Sequence, residues 1–512
     1  MSTEQISATV PRRRAPGVAT AAGRSAAADA VPILLFGVFA ASILTSYQLG
    51  DGLQTAFLVG MLVITLIIPL LRWLLADADL SAFLVIPTVL SATQNVFLLP
   101  IAADISQSQL QFVIILNFAY AMVLALALSL FTRRDDATDK AAHGRKRLLF
   151  SVLLCAAILT AYAAATVVLF RPNLTSALAS YRNLVTPFLF LLIGLWASRT
   201  TAADRFLRLL VLLGVLTVAF GFFEWATPGF WQATHLETLW AKKGITVAQS
   251  TGLPSNFFSS EQFDGELMRR MASSFADPVN FGTFLFIAFL GAWFLKHRLL
   301  AVLFIVASVI AVSKGAMLGF LVFFAFWTRH ALPRPIHYLA LAVAGGAGIA
   351  FLVFSSDNST GSTEAHIGGF TAAFTELPQH PLGRGLGNVG VLASLFGDGE
   401  VSEIRESGLG VVIGQLGVVG LGGYVAFFVL LLRAGSKLTD PRQRLLVLGA
   451  VVGFALNMMF NEVALSPNSA APYFLAIGLV LGRAGAREEA SEARATARVR
   501  NRSSLSRSTL IY

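Results

Sequence analysis

Charged side chains are scarce in this chain: Asp, Glu, Lys and Arg make up 13% of its 512 residues, where a soluble domain carries about a quarter. So thin a supply cannot cover a water-exposed surface of this size, which excludes an ordinary soluble enzyme. Cysteine is almost missing. The single Cys155 lies in an apolar run and excludes both an intramolecular disulfide framework and a cysteine-based metal site. Alternation of apolar and polar residues is absent too, so helices rather than strands must do any membrane crossing, because lipid leaves no backbone group unpaired. What the chain has in abundance is hydrophobic mass, 56% of its residues.

A span takes about 20 mostly apolar residues, fewer inside a bundle. The sequence therefore predicts an all-α polytopic membrane protein with about fourteen transmembrane helices. The segments are 30–47, 53–75, 80–101, 109–131, 148–170, 184–198, 207–225, 279–295, 299–313, 315–328, 337–354, 407–432, 445–463 and 470–483. Residues 30–483 read as one transmembrane domain, with no soluble catalytic domain left over. Residues 1–29, with Pro11-Arg12-Arg13-Arg14, and the Arg-rich tail 484–512 read as disordered flanks. Basic residues precede the first apolar run, as in a signal peptide, but the many later spans favour an uncleaved first helix.

The net charge of +10 reflects membrane orientation, not nucleic-acid binding. With both termini cytoplasmic, the inner connections receive Arg133, Arg134, Lys140, Arg145, Lys146, Arg147, Arg199, Arg205, Arg208, Lys296, Arg298, Arg329, Arg334, Arg433, Lys437, Arg442, Arg444 and the tail. The outside keeps Arg171, Arg182, Lys242, Lys243, Arg269, Arg270, Lys314, Arg384 and Arg405, which satisfies the positive-inside rule. This sidedness requires residues 299–328 to form two short helices turning at Ser313-Lys314-Gly315. Two outer loops, 226–278 and 355–406, are long, and long loops in a tightly looped protein are usually functional.

The few outer cations sit at the ends of separate predicted helices. Arg182 lies in SYRNLVTPFLF before a span, Arg270 in RRMASSFADPVNFGTF, Lys314 in AVSKGAMLGF, Arg384 in HPLGRGLGNVG, and Arg405 beside Glu406 in IRESGLGVVIGQLG. If they converge they make an anion site, and a diphosphate at the membrane surface suits the donor fork of arginine. The plainer reading is snorkelling to lipid headgroups. Gly385-Leu-Gly387-Asn-Val-Gly390 matches a dinucleotide fingerprint, but no strand precedes it. Its amides either cradle phosphate or form a plain turn after Pro381. Glu406 is either a helix-start acid favoured by the dipole or a base facing an outer cavity, while Glu224 and Glu462 read as interfacial ends of spans. His235, His366 and His380 are outside but show no metal-ligand spacing, so neither metal nor cofactor is expected.

In order and position these motifs resemble the bacterial O-antigen ligase and O-antigen polymerase superfamily over roughly residues 170–435. The resemblance rests on the Arg182 segment, Arg270-x-x-Ser-x-Phe-x-Asp-Pro278, Ser313-Lys314-Gly315-Ala316, His380-Pro381-Leu382-Gly383-x-Gly385-x-Gly387, and Glu406-Ser407 with Gly417 eleven residues after Glu406. Ligases of the family carry His-Ser where this chain has Glu406-Ser407, which points to a polymerase-like member. The family's third motif commonly has Arg where Lys314 stands.

The resemblance implies metal-independent glycosyl transfer on the outer face of a bacterial plasma membrane. Arg182, Arg270, Lys314, Arg384 and Arg405 would hold the diphosphate of a lipid-linked oligosaccharide donor, and Glu406 or His380 would serve as base towards a glycan acceptor. A chain-length regulator or another envelope-assembly protein is the kind of partner such a role implies. The rival readings are a lipid-linked oligosaccharide flippase, a ligase using a non-glycan acceptor, a glycosyltransferase with an acidic first outer loop, and a non-enzymatic envelope scaffold. The 48–52 connection, with Asp51 its one acid, is too short for the acidic-loop type.

Overall fold

The computed structural model describes residues 79–99, 102–131, 142–227, 229–234, 236–243, 247–248, 251–263, 266–358, 362–396 and 407–483. The expected spans 30–47 and 53–75 and both terminal flanks lie outside these residues. The described chain is mostly helical. It begins with α1 (Ser81–Leu98), α2 (Gln107–Phe131), α3 (Ala142–Phe170), α4 (Leu174–Ala197) and α5 (Ala203–Ala226). Two short helices follow, α6 (Phe230–Ala233) and α7 (Leu236–Lys242), and then two antiparallel pairs. These are β1 (Val247–Ala248) with β2 (Leu253–Pro254) and β3 (Phe258–Phe263) with β4 (Glu266–Arg269). The rest is α8 (Pro278–Phe294), α9 (Arg298–Ile310), α10 (Lys314–Ala331), α11 (Arg334–Asn358), α12 (Ser362–Glu376), α13 (Val391–Phe396), α14 (Gly408–Ser436), α15 (Pro441–Phe460) and α16 (467–483).

Six of these helices are long and apolar enough to cross a membrane, and the chain is a multi-pass membrane protein. Its exterior is consistent with that. α3 turns Phe150, Leu153, Leu154, Ile158, Val168 and Leu169 outward, and α11 turns out Leu339, Val343, Ile349 and Val353. Apolar strips of that extent belong against lipid rather than water.

Helix ends follow local chemistry. Asp277 and Asp440 cap α8 and α15, each followed by proline at the first helical position, where its missing N–H costs nothing. Asn173 accepts from the N–H groups of Thr175 and Ser176, so α4 begins at Leu174. The sequence expectation put this span at 184–198, with Arg182 ahead of it. The asparagine cap extends the helix, and Arg182 lies inside it. Residues 299–328 do form two helices, α9 and α10, broken at Ala311–Ser313. The stretch 355–406, expected to be loop, holds the end of α11, all of α12 and α13; its polar Ser/Thr/Glu content disguises helix-forming sequence.

Within the bundle, close packing depends on small residues. α4 and α16 cross at Gly194 and Gly478, where a Cβ would lie 2.7 Å from Leu475 O and 2.6 Å from Leu191 O respectively. Pro87 inside α1 frees the Phe83 carbonyl, and the buried Tyr120 hydroxyl of α2 donates to it at 3.0 Å.

Glu224, expected to be interfacial, is fully buried at the end of α5. Its carboxylate accepts from Trp231 Nε1 (2.8 Å), Ala272 N (2.8 Å) and Ser273 N (3.1 Å), and pairs with Arg269 at 3.1 Å. The acid therefore ties both ends of the 228–277 segment to α5. Glu224→Ala strands these donors and the arginine in the interior. It is expected to destabilise the protein by about 3–5 kcal/mol, read as a lower unfolding midpoint in detergent.

Candidate functional site

One end of the bundle gathers the starts of α4, α8, α10, α14 and α16 and the ends of α1, α3, α5, α9 and α15. Two interruptions of helical backbone lie there. The first is in α14, where Gly417 takes φ 57° and ψ −142°. The chain at 381–385 crosses this break and supplies the missing bonds. Val418 N donates to Pro381 O at 2.9 Å, Arg384 N to Gly414 O at 2.8 Å, and Gly385 N to Gln415 O at 3.0 Å. A Cβ on Gly417 would collide with Pro381 O, and one on Gly383 with the Gln415 carbonyl. The motif's glycines thus allow one backbone to lie directly on another.

Half of the glycine string's amides, and the Val391 amide just beyond it, are consequently committed to protein. Leu386 N donates to Thr166 Oγ1, Asn388 N to Gly385 O, and Val391 N to the Glu462 carboxylate at 2.8 Å. The bend is a backbone splice, and the Gly385, Leu386 and Asn388 amides are spent within it. Arg384 reaches back to Glu376 at 2.8 Å, so its charge is matched. His380 is exposed after α12.

The second interruption is the α9–α10 turn. Arg270 Nε donates to Ala311 O at 2.9 Å and its Nη2 to Val312 O at 3.2 Å, while Nη1 reaches Asn256 O at 3.3 Å. The guanidinium therefore caps the carbonyl end of α9, where a cation is favoured, and fixes the turn that presents Lys314. Lys314 opens α10, and Gly315 beside it lies against Asn457 of α15. Arg270 and Lys314 are thus brought together. Arg384 belongs instead to the α14 break, whereas Arg182 lies inside α4, where its Nε and Nη2 donate to Asn183 Oδ1 at 3.2 and 3.1 Å; Ser180 Oγ, two residues earlier, accepts from Gln415 Nε2 at 3.2 Å. The end of α15 lies between the two breaks, since Asn457 meets Gly315 and Glu462 meets Gly390. Glu462 is buried, not interfacial as expected. Arg405 and Glu406 fall outside the described residues.

The sequence reading missed a buried polar cluster beside Arg270. Lys243 Nζ donates to Asn95 Oδ1, and Asn95 Nδ2 to Phe275 O. Asp277 accepts from Val279 N at 3.0 Å, from Asn280 Nδ2, and from Asn256 Nδ2 at 3.4 Å. Asn280 Oδ1 accepts from Ser469, and Asn468 accepts from Ser91 and Asn117. Lys242 anchors the same strap through Ala103 O and Ile105 O. The signal was available as asparagines within apolar runs, polar groups that membrane burial makes costly.

No protein-family model matches the chain, and no curated protein is significantly similar to it. Among the described residues, no group of three or more His, Cys, Asp and Glu side chains is set to hold a metal ion.

Burial pushes the Lys243 ammonium down to about 8 from an ordinary 10.5, against the opposing pull of Asp277. Burial likewise pushes the Asp277 carboxyl up, opposed by Val279 N–H, Arg270 and Asn280. For Lys243 the folded pKa lies below that of the free side chain, so between the two the unfolded chain binds more protons and stability rises with pH. The unfolding midpoint is expected to climb between pH 8 and 10.5, with a smaller climb in Lys243→Met. At the other locus, Gly417→Ala combines a left-handed φ with a backbone collision. It is expected to cost at least ~2 kcal/mol, seen as loss of the monodisperse folded peak in detergent.

Proposed function

We propose that the protein is a bacterial plasma-membrane glycosyltransferase of the polysaccharide-polymerase type, acting on the extracytoplasmic face. In this reading about fourteen helices cross the bilayer, both termini are cytoplasmic, and the end bearing the two helix breaks faces outward. The observation that supports it is that Arg270, Lys314 and Arg384 sit at helix interruptions of that one end, with Arg182 inside α4, while Arg199, Arg205, Arg208, Lys296, Arg298, Arg433 and Arg444 lie near the opposite helix ends. A cation-poor outer end whose few cations sit on built turns is an economical anion site.

The donor is a glycan on a polyprenyl diphosphate. Lys314, held by the Arg270-capped turn, lies beside the diphosphate, and the charge that develops as it leaves is stabilised there. An acceptor sugar hydroxyl attacks the anomeric carbon, the bond to diphosphate breaks, and Glu406 or His380 takes the hydroxyl proton. Arg384 contributes chiefly by holding α12 through Glu376.

The discontinuous α14 also favours a second reading, a transporter of lipid-linked oligosaccharide, because such proteins build substrate sites at broken helices. One experiment separates them. The purified protein is reconstituted with polyprenyl-diphosphate oligosaccharide from its own cells. The expected result is a ladder of longer glycans, slowed ~100-fold or more in Lys314→Ala and less in Lys314→Arg. One discrete product on a non-glycan acceptor means a ligase. Substrate crossing between leaflets with no product overturns the enzyme reading in favour of the transporter.

A further inference from the structure

The end of the bundle away from the helix breaks carries a second group of cations, which glycosyl transfer does not use. α9 and α15 both pack on α8, and Arg298 opens α9 while Arg442 stands in the first turn of α15. The Arg298 guanidinium lies 3.6 Å from the centre of the Trp293 ring, on the last turn of α8. Arg442 is near enough for its positive charge to act on Arg298. Both arginines are exposed, and among the described residues neither makes an ion pair. Asp440 uses its carboxylate to cap α15, accepting from Arg442 N at 2.9 Å. Lys296, in the connection between α8 and α9, adds a third cation at φ 67°, where glycine is the usual and less strained residue.

Two like charges held together repel, and one anion relieves both. Arginine presents forked donors that fit phosphate oxygens. Depth says which phosphate. Trp293 and Trp327 are half-buried and meet edge-on at 5.4 Å, and such tryptophans sit at headgroup level in a membrane protein. Next to Arg298, the side chains of Leu299, Val302, Val306 and Val309 are exposed. Their spacing places them on one face of α9, a path for an acyl chain. A zwitterionic headgroup brings a further cation to the pair, so the occupant is an anionic lipid.

We propose that Arg298 and Arg442 bind the phosphodiester of an anionic phospholipid whose acyl chain lies along that face of α9. The site is independent of the glycan reading, and the bound lipid ties the ends of α9 and α15 together across α8.

The test measures binding of phosphatidylglycerol and phosphatidylcholine to the purified full-length protein in detergent. Wild type is expected to bind phosphatidylglycerol more tightly. Arg298→Gln and Arg442→Gln are each expected to weaken that binding about fivefold, and the double variant about thirtyfold. Phosphatidylcholine binding stays unchanged, which also controls for correct folding. Arg444→Gln, two positions along α15 and so on another face, is expected to keep the preference. Wild type without preference, a double variant that retains it, or an equal loss in Arg444→Gln overturns the site and leaves only the diffuse charge of that end. Glycerol phosphate, which lacks acyl chains, is expected not to displace the lipid at equal concentration. If it does, the site takes free phosphate and the lipid assignment fails.

Discussion

A backbone that leaves helical geometry inside a bilayer must find a partner for every group it frees, because hydrocarbon supplies none. The rest of this structure is arranged around that requirement. At Gly417 the freed groups of α14 are taken up by the Pro381–Gly385 strand, carbonyl for amide and amide for carbonyl. At the α9–α10 turn the Ala311 and Val312 carbonyls are taken up by a single guanidinium, that of Arg270, and the Ile310 carbonyl by Met271 N–H. The kink at Pro87 is met by the Tyr120 hydroxyl. Each interruption is compensated from a different element, so every break is also a tie between elements.

Charge at that end follows the same logic. Isolated cations would be costly at membrane depth, and four of the described ones are matched or put to structural use. Arg384 has Glu376, Arg269 has Glu224, and Lys243 has Asp277 nearby with Asn95 as acceptor. Arg270 is engaged with carbonyls. A polar lattice therefore lies beneath the membrane-facing shell, held by contacts within the protein itself.

Much of the architecture was legible in the sequence. Apolar runs mark the helices, and the sparse placement of arginine and lysine identifies the end that collects the breaks, including the turn at Ser313-Lys314-Gly315. The start of α4 was not legible from hydropathy, because Asn173 extends the helix through a polar stretch that no apolar window includes. The roles of Glu224 and Glu462 were hidden for a related reason. Both stand at the ends of apolar runs, where an acid is usually wet, and only the fold of the intervening segments buries them. The Lys243 cluster needs residues from α1, from the segment after α7, from the cap of α8 and from α16, and no local pattern joins positions so far apart. The resemblance implies a diphosphate ligand at Arg270, while its hydrogen bonds reveal a scaffolding duty that a motif cannot express.

The attachment of α16 has a consequence for how the protein is made. Asn468 completes the hydrogen bonds of Ser91 and Asn117, and Ser469 those of Asn280, while Gly478 seats against Gly194. Translation delivers α16 after every other described helix. During biogenesis the polar side chains of α1, α2 and α8 must therefore wait, already inserted, for their final partners to leave the ribosome. Ser91 and Asn117 can meanwhile satisfy each other and Pro87 O, but Asn280 Oδ1 must be shielded by the insertion machinery or water until Ser469 arrives.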